Sequence, residues 1–287
     1  MAKRLSGKEV NCRIIQRIQE KMDGLHGQYI KPKLAIIRVG EREDDICYER
    51  NIIRQCEKLG IEYKCFCFSQ AVAETELISL IGQINKDDSI HGVLLFRPLP
   101  KHLNEGKIVN TLDIEKDVDG ISDGSLAAVF TGKEQGFPPC TAQSCMEFLD
   151  YYKIDCTGKK AAVVGRSLVV GKPAAMMLLN QNATVTICHT KTKDISRVTK
   201  EADIVISAVG KAGLINSSYL REGQVILDVG INLNENGMII GDVDYESAEK
   251  IVDAITPVPG GIGSVTTSVL MEHVVDAMIR KNRGKRK

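Results

Sequence analysis

The first half of the chain alternates between helical and strand-like patterns of apolar residues. Ile14, Ile18 and Met22 recur at helical spacing, and Lys33–Val39 is a mostly apolar run that ends at Gly40, as a buried strand does. The alternation continues with a helix marked by Tyr48, Ile52, Cys56 and Leu59 before Gly60, a strand at Tyr63–Phe68, a helix through Leu77–Ile81 and a strand at Gly92–Phe96. Helices that alternate with strands predict an α/β fold with a parallel sheet.

After Lys159 the pattern begins again and is more regular. It predicts a helix at Pro173–Leu179, a later short helix, and strands at Ala161–Val164, Thr184–Ile187, Asp203–Ile206 and Gln224–Asp228. This order is typical of a Rossmann-like, doubly wound parallel sheet that binds a dinucleotide. A helix from Cys145 to Tyr152 leads into this half, and the crossing between domains is predicted near Pro139.

We therefore expect two α/β domains. The first comprises residues 1–138 together with 267–287, because the final helix, from Ser268 to Met278, follows a glycine-rich loop and is predicted to pack back on the first domain. The second comprises residues 139–266 and carries the dinucleotide-binding pattern.

Composition narrows the class of function. The 287 residues include 38 Lys and Arg against 37 Asp and Glu, a balance that offers no overall field for nucleic acid or an anionic membrane. No apolar run approaches the roughly 18 residues that span a bilayer, and Met1–Lys8 contains no signal-peptide core, which predicts a cytoplasmic protein. The nine cysteines lack paired CxxC spacing, so we expect reduced thiols and no metal site.

A glycine turn in the second domain is the first candidate binding motif. Gly165, Arg166 and Ser167 follow a predicted strand, and Gly171–Pro173 opens the next helix, so backbone N–H groups face the place where a pyrophosphate binds. Ser167 stands where the G-x-G-x-x-G motif has its second glycine. An ordinary strand-to-helix turn is therefore the alternative interpretation.

The end of the following strand bears on the choice of dinucleotide. NAD sites place an acidic residue about 20 residues after the glycine turn, to bind the ribose 2′-hydroxyl. Here the sequence reads Cys188–Lys193, without an acid, and Arg166 and Thr190 can donate hydrogen bonds to a 2′-phosphate. The pattern favours NADP over NAD, and the alternative is a merely basic, exposed strand end.

Two more segments carry candidate ligand-binding groups. Asp117 and Asp119 lie two residues apart, so in an extended segment both carboxylates point to one side. Three uses are open: a metal site, which lacks a third ligand nearby; acceptance of paired N–H donors from an amino-pyrimidinone edge; or a plain turn with solvated acids. The glycine-rich run Pro257–Gly263 predicts a rigid wall for a flat ligand, which includes Pro259, Gly260 and Gly261.

Several motifs occur in order along the chain: Lys116–Gly120, Pro139–Thr141, Gly165–Pro173, Asp228–Asn232, Gly241–Asp244 and Thr256–Gly263. Together they resemble the bifunctional 5,10-methylenetetrahydrofolate dehydrogenase/methenyltetrahydrofolate cyclohydrolase family, from about Ser6 to Met278. The resemblance implies two α/β domains that flank a cleft, with folate held by the first domain and NADP by the second. It also implies a homodimer made through the second domain.

The resemblance further implies roles for individual residues. Tyr48 and Asp119 are the implied catalytic residues: Tyr48 stacks along the pterin side of the folate, and Asp119 holds the pterin. The implied contacts of the two ligands are Pro259, Gly260 and Gly261 for the substrate, and Gly165, Arg166, Ser167, Thr190 and Ile231 for NADP.

The sequence departs from the family pattern at the reacting carbon. The family has a Lys four residues after the Tyr, and a Gln that hydrogen-bonds this Lys and the ligand; Ile52 and Phe96 stand at these positions. Without the cation, a buried amide would lack its partner, so an apolar ring is the less costly filler. Further departures are Asp45 for the usual Ser, Ala142 and Ser144 within the Pro-Cys-Thr motif, and Ser264 for a Pro.

The resemblance implies an NADP-dependent enzyme that oxidises 5,10-methylenetetrahydrofolate and hydrolyses the methenyl product to 10-formyltetrahydrofolate. Hydride transfer depends mainly on positioning, whereas hydration needs a proton donor and acceptor, which Ile52 and Phe96 do not supply. The hydrolysis step is therefore predicted to be impaired. The alternatives are a catalytically silent NADP- or folate-binding homologue, and an NADP oxidoreductase with a different small substrate.

Overall fold

The computed structural model describes residues 1–24 and 30–284, and these residues form two compact units. Met1–Arg13 and Thr141–Thr266 make up one, called the six-strand unit below; Ile14–Cys140 and Thr267–Lys287 make up the other, the three-strand unit. Within the described ranges, no helix is long and apolar enough to cross a membrane. Residues 25–29 and 285–287 of the predicted first domain lie outside the described residues.

Strands and helices alternate through most of the chain. In order they are β1 (Lys3–Arg4), α1 (Gly7–Asp23), β2 (Lys33–Val39), α2 (Glu43–Leu59), β3 (Glu62–Phe68), α3 (Glu74–Lys86), β4 (Gly92–Leu95), α4 (Glu105–Val109), α5 (Asp123–Thr131), α6 (Cys140–Tyr151), β5 (Lys160–Val164), α7 (Gly171–Asn180), β6 (Thr184–Cys188), α8 (Ile195–Glu201), β7 (Ile204–Ser207), β8 (Val225–Asp228), β9 (Asn232–Leu233), β10 (Ile239–Ile240), α9 (Tyr245–Ala248), β11 (Ala254–Ile255) and α10 (Thr266–Gly284).

In the three-strand unit, a parallel sheet in the order β3-β2-β4 supports the candidate substrate residues. β2 is central, and its side chains Ala35, Ile37 and Val39 pack with buried residues such as Leu77 and Leu95. Burial of this apolar surface, at roughly 25 cal/mol per Å², is the main force that holds the sheet to its helices. The strands predicted from the apolar runs are confirmed, with end shifts of a residue.

The six-strand unit is a doubly wound parallel sheet in the order β1-β11-β8-β7-β5-β6. α7 connects β5 to β6, and the chain then returns through α8 to β7 on the other side of β5. The Rossmann-like prediction is thus confirmed. Apolar residues of adjacent strands, among them Val164, Val205 and Ile226, form its buried core.

The structure differs from the expected organisation at the N-terminus. Residues 1–13 were expected in the first domain, but they belong to the six-strand unit. The reason is that β1 adds to the sheet edge beside β11: the N–H groups of Lys3 and Leu5 donate to Asp253 and Ile255 at 2.7 and 2.8 Å. A two-residue polar strand has no apolar periodicity, so the pattern did not reveal it.

Two helices also begin earlier than their apolar positions indicated. α2 starts at Glu43 rather than near Tyr48, because its first turn is acidic and suits the positive end of the helix dipole. α6 starts at Cys140 instead of Cys145. The last helix, α10, lies from Thr267 onward in the three-strand unit.

Candidate functional site

The glycine turn lies after β5, where the connections of the large sheet diverge. Ligands of doubly wound sheets bind at such a switch point, outside the carboxyl ends of the strands. Gly165 has φ of +125°, and a Cβ there would lie 2.2 Å from the Ala208 carbonyl oxygen, which follows β7. A Cβ on Gly171 would lie 2.2 Å from the Gly165 oxygen. Both glycines therefore allow a backbone approach that no other residue permits.

The predicted NADP contacts in this turn are exposed. Arg166 and Ser167 lie on the surface, and the Ser167 hydroxyl accepts from the N–H of Val170 at 3.1 Å, just before α7 begins. The two exposed side chains are therefore accessible to an anion.

The turn after β6 contains no acidic side chain. Thr190 is exposed in it, and the His189 N–H donates to the Thr192 hydroxyl at 2.9 Å. The first acid along the chain is Asp194, and its carboxylate caps α8 by accepting from Ser196 and from the Arg197 N–H. A 2′-phosphate near Thr190 would therefore meet hydrogen-bond donors. It would not meet the carboxylate that binds the ribose 2′-hydroxyl in NAD sites.

Ile231 opens onto a cavity of about 240 Å³ in the six-strand unit. Ile231 is 68% exposed, and Pro259, Gly260 and Gly261 line the same cavity. The Gly260 oxygen accepts from the Gly7 N–H at 2.8 Å, which ties this loop to the start of α1. The structure thus brings one predicted cofactor contact together with the three predicted substrate contacts of the glycine-rich wall.

Ser264 stabilises that wall. Its hydroxyl donates to the Gly261 oxygen at 2.6 Å, and its N–H donates to the same oxygen at 3.0 Å. Ser264 stands where the family pattern has a Pro, so a side-chain hydrogen bond here takes the place of a rigid ring.

Tyr48 and Phe96 are in contact in the three-strand unit. Their ring centroids are 5.7 Å apart at an interplanar angle of 67°, an edge-to-face arrangement. The Tyr48 residue is 38% exposed, yet its hydroxyl end is buried and hydrogen-bonded to Thr267. Burial, reinforced by the charge of Asp119, raises the pKa of Tyr48, so it remains a neutral phenol.

Ile52 lies one turn along α2 from Tyr48 and is fully buried. Phe96 is 7% exposed and directly follows β4. The two positions where the family pattern has a Lys and its Gln partner are therefore filled by packed apolar side chains. Neither side chain can donate, accept or carry a proton.

The two acids of the Asp117–Gly120 motif have different surroundings. Asp117 is fully buried and accepts from the N–H groups of Ile121 and Ser122 at 3.0 and 2.8 Å and from the Ser125 hydroxyl at 2.7 Å. Its hydrogen-bonding capacity is used in building the turn before α5. Asp119 is only partly buried and is the carboxylate left for a ligand.

Asp119 lies among groups that sequence reasoning did not single out. Burial raises its pKa to about 6, against the opposing effects of the Arg97 guanidinium and a hydrogen bond from the Cys140 thiol. Arg97 also lies 3.6 Å from Glu105. Burial and the Asp119 charge raise the pKa of Cys140 well above its usual range, so the thiol remains a donor. Arg97 follows Phe96 directly, which is the signal that could have identified it.

The described residues contain no group of three or more His, Cys, Asp or Glu side chains placed to hold a metal ion. The metal interpretation of Asp117 and Asp119 thus gains no third ligand. The nine cysteines all lie in the described residues, and none of them forms a disulfide there.

Comparison with known proteins accounts for both units. Residues 5–119 match the model of the tetrahydrofolate dehydrogenase/cyclohydrolase catalytic domain, and residues 139–282 match that of the NAD(P)-binding domain of the same family. This chain belongs to the tetrahydrofolate dehydrogenase/cyclohydrolase family. The expected family resemblance is confirmed.

Similar members cover almost the whole chain. The bifunctional protein FolD of Clostridium botulinum is 49% identical over 98% of this chain and 100% of its own length. The FolD crystal structure from Campylobacter jejuni superposes with a TM-score of 0.95 at 39% identity, covering 98% of this chain and 99% of that one. The Trypanosoma brucei FolD, solved with NADP and an inhibitor, has a TM-score of 0.91 at 29% identity and covers 98% and 99%.

Proposed function

We propose that this chain is an NADP-dependent 5,10-methylenetetrahydrofolate dehydrogenase and 5,10-methenyltetrahydrofolate cyclohydrolase whose hydrolysis step is impaired. Membership of the tetrahydrofolate dehydrogenase/cyclohydrolase family carries the two activities. The observation that carries the impairment is the fully buried Ile52, one helical turn from the ring pair of Tyr48 and Phe96.

The six-strand unit supplies residues that fit a dinucleotide. The Gly165 backbone approaches Ala208 so closely that a Cβ would fill the space at the switch point, and the exposed Arg166 and Thr190 follow the two strands of the first crossover. The backbone of Gly165, Arg166 and Ser167 would hold the pyrophosphate, and the side chains of Arg166 and Thr190 would hold the 2′-phosphate. When bound, NADP would supply the hydride acceptor for oxidation of the methylene carbon of the substrate. Ile231 would pack against the cofactor on the other side of the turn.

The three-strand unit supplies residues that fit a pterin. Asp119 would accept from the paired N–H donors of the amino-pyrimidinone edge, since its neighbour Asp117 is already occupied by backbone donors. Tyr48, a neutral phenol anchored through its hydroxyl to Thr267, offers the face of its ring to the ligand. The family resemblance also assigns Pro259, Gly260 and Gly261 to the substrate. These groups bind and orient; none has to move a proton during hydride transfer.

Hydration of the methenyl carbon makes a different demand. Water must lose a proton as it attacks, and loss of the group that manages the proton costs roughly 10²–10⁴-fold in rate. Ile52 and Phe96 cannot take that part, and Tyr48 holds its proton too tightly to serve as a base near neutral pH. We therefore expect this chain to retain more of the dehydrogenase activity than of the cyclohydrolase activity.

Two features support the remaining parts of the proposal, a cytoplasmic homodimer. Nine cysteines without a disulfide among the described residues suit a reducing compartment. The hairpin of β9 and β10 exposes Leu233 (71%), Met238 (57%) and Ile239 (45%), an apolar patch of the kind that subunit interfaces cover.

The test is to assay the purified protein with 5,10-methylenetetrahydrofolate and NADP, following NADPH, and separately to follow methenyl hydrolysis, with the Clostridium botulinum FolD beside it. We expect NADPH formation, and hydrolysis about 10²–10⁴-fold slower than in the reference. Hydrolysis at an ordinary turnover of about 10 s⁻¹ would contradict the impairment. Binding of both ligands without turnover would support a silent homologue, and NADP turnover with another small substrate alone would support a different oxidoreductase.

A further inference from the structure

Two buried aspartates of the six-strand unit accept several hydrogen bonds each, and neither has been given a ligand-binding role above. Asp228 is 3% exposed at the end of β8, and Asp242 is fully buried after β10. A Cβ on Gly230 would lie 2.4 Å from the Asp242 carboxylate, and one on Gly241 would lie 1.9 Å from an Asp228 oxygen. The carboxylates therefore pack directly on backbone, where only glycine leaves room.

Asp242 binds two loops at once. Its Oδ2 accepts from the N–H groups of Val209 and Gly210 at 2.7 and 3.2 Å, and its Oδ1 accepts from the Lys211 N–H at 2.9 Å. Oδ1 also accepts from the side-chain amide of Asn232 at 3.0 Å. One carboxylate thus joins the loop after β7 to the segment after β8.

Asp228 holds the residue that precedes Ile231. Its Oδ1 accepts from the Gly230 N–H at 2.9 Å and from the Asp242 N–H at 3.1 Å. Ile231 therefore stands between two residues that are each held by a buried aspartate, Gly230 by Asp228 and Asn232 by Asp242. The Ile231 side chain is 68% exposed, but these hydrogen bonds hold the backbone that carries it in one orientation.

We propose that Asp242 is a positioning residue for the nicotinamide half of the dinucleotide: it holds the 209–211 loop and Asn232, and so sets the backbone that presents Ile231. The inference rests on the proposed NADP site. In the strand order β8-β7-β5-β6, the 2′-phosphate residues follow β5 and β6, whereas the loops bound by Asp242 follow β7 and β8. A dinucleotide that crosses the switch point places its nicotinamide half on the β7 and β8 side.

Only a carboxylate satisfies this site. Among the described residues, the hydrogen-bond partners of the two oxygens are three backbone N–H groups, the Asn232 amide and, at 3.5 Å, the Ser207 hydroxyl, all of which are donors. An asparagine would turn an NH₂ group toward N–H donors and leave at least one of them buried without an acceptor. Asp242→Asn changes the charge and the hydrogen bonding but hardly the volume.

The experiment compares two probes by calorimetric titration: NADP, and adenosine 2′,5′-bisphosphate, which lacks the nicotinamide half. We expect Asp242→Asn to weaken NADP binding by about tenfold or more while the bisphosphate affinity changes less than twofold, since one buried donor is left unpaired at the loops. Asp244→Asn is the matched control, because Asp244 lies two residues away and caps α9, and both affinities should stay as in the unmodified protein.

A general loosening of the unit would weaken both probes equally, and that result would overturn the proposal. If Asp242→Asn does not fold, Asn232→Ala removes one of its donors and should weaken NADP binding about threefold, with the bisphosphate unaffected; an unchanged NADP affinity would then overturn it. Failure of the unmodified protein to bind either probe would instead contradict the proposed NADP site.

Discussion

The two units differ in what their ligand-binding residues must do. In the six-strand unit, Gly165, Arg166 and Thr190 present donors and backbone to an anion, and each has the chemistry that the dinucleotide pattern requires. In the three-strand unit, Asp119 and Tyr48 have groups that can hold a pterin. Ile52 and Phe96, however, stand where the family pattern has the Lys and Gln that would handle the proton. Under the proposed function, binding and orientation are therefore separable from proton handling.

The largest effect should come from restoring proton chemistry to the three-strand unit. We expect Ile52→Lys together with Phe96→Gln to raise methenyl hydrolysis about 100-fold or more, because a Lys in contact with its amide partner retains its proton. Each single change should give much less, since an unpartnered Lys in an apolar pocket loses its charge. The measurement is a double-mutant cycle on the hydrolysis rate.

Arg50→Lys is the matched control for that cycle, because Arg50 is exposed on the same helix and a Lys there should leave hydrolysis unchanged. Melting temperatures of all variants separate a loss of fold from a loss of chemistry. Equal hydrolysis rates in the double variant and the unmodified protein would show that positions 52 and 96 do not limit this step.

The second test concerns the ligand-holding group of the same unit. Asp119→Ala should weaken folate binding by about 10- to 100-fold, because a charge-assisted pair of hydrogen bonds is lost, and should leave NADP affinity unchanged. Equilibrium titration with tetrahydrofolate measures the effect. Glu115→Gln, an exposed carboxylate on the same segment, serves as the control; if the two variants bind folate alike, Asp119 does not hold the ligand.

A third test addresses the selectivity of the six-strand unit. Arg166→Ala should weaken NADP about tenfold and leave NAD nearly unchanged, because the guanidinium acts on the 2′-phosphate that NAD lacks. Calorimetric titration of both cofactors provides the comparison within one variant. A parallel loss of NAD affinity would place Arg166 at the pyrophosphate instead.

The smallest effect is a shift with pH. Folate affinity should fall as the pH drops through about 6, where Asp119 takes up a proton and ceases to accept from two donors. The groups that bear on Asp119 are Arg97, Cys140, Asp117 and Tyr48. Arg97→Gln removes the cation that lowers the pKa of Asp119, so the midpoint should rise by about one pH unit. Titrations of folate binding at several pH values measure it, and an unmoved midpoint would contradict the role of Arg97.

Protonation of Asp119 should have opposite effects on binding and on stability: it weakens folate binding but raises the free energy of unfolding. Burial places the pKa of Asp119 in the folded chain, about 6, above the 3.8 of an ordinary Asp. Its stabilising contribution is therefore complete below a pH of about 4 and is lost as the pH rises through about 6. Above that pH, a charged Asp119 favours ligand binding while it lowers the free energy of unfolding, as is common for functional carboxylates.

Apolar periodicity was sufficient to predict most of the fold. The buried runs at Lys33–Val39 and Ala161–Val164 are strands because four or more consecutive apolar side chains need cover on both faces of a sheet, which helices then provide. The polar strand β1 and the start of α2 were not predictable in this way, because their positions follow from a sheet edge and a helix dipole rather than from burial. Segments with little apolar surface leave no trace in the pattern.

The residues of the candidate site likewise fall into those that the sequence identifies and those that only the tertiary structure reveals. Residues in a continuous motif, such as Gly165–Ser167 or Asp117–Asp119, could be identified from the chain because local backbone geometry determines their use. The distinction between Asp117 and Asp119, the Arg97 and Cys140 neighbours of Asp119, and the bonds from Asp242 to the 209–211 loop arise only where distant segments meet. Hydrogen bonds and pKa values depend on which groups are excluded from water together, and only the tertiary structure brings those groups into contact.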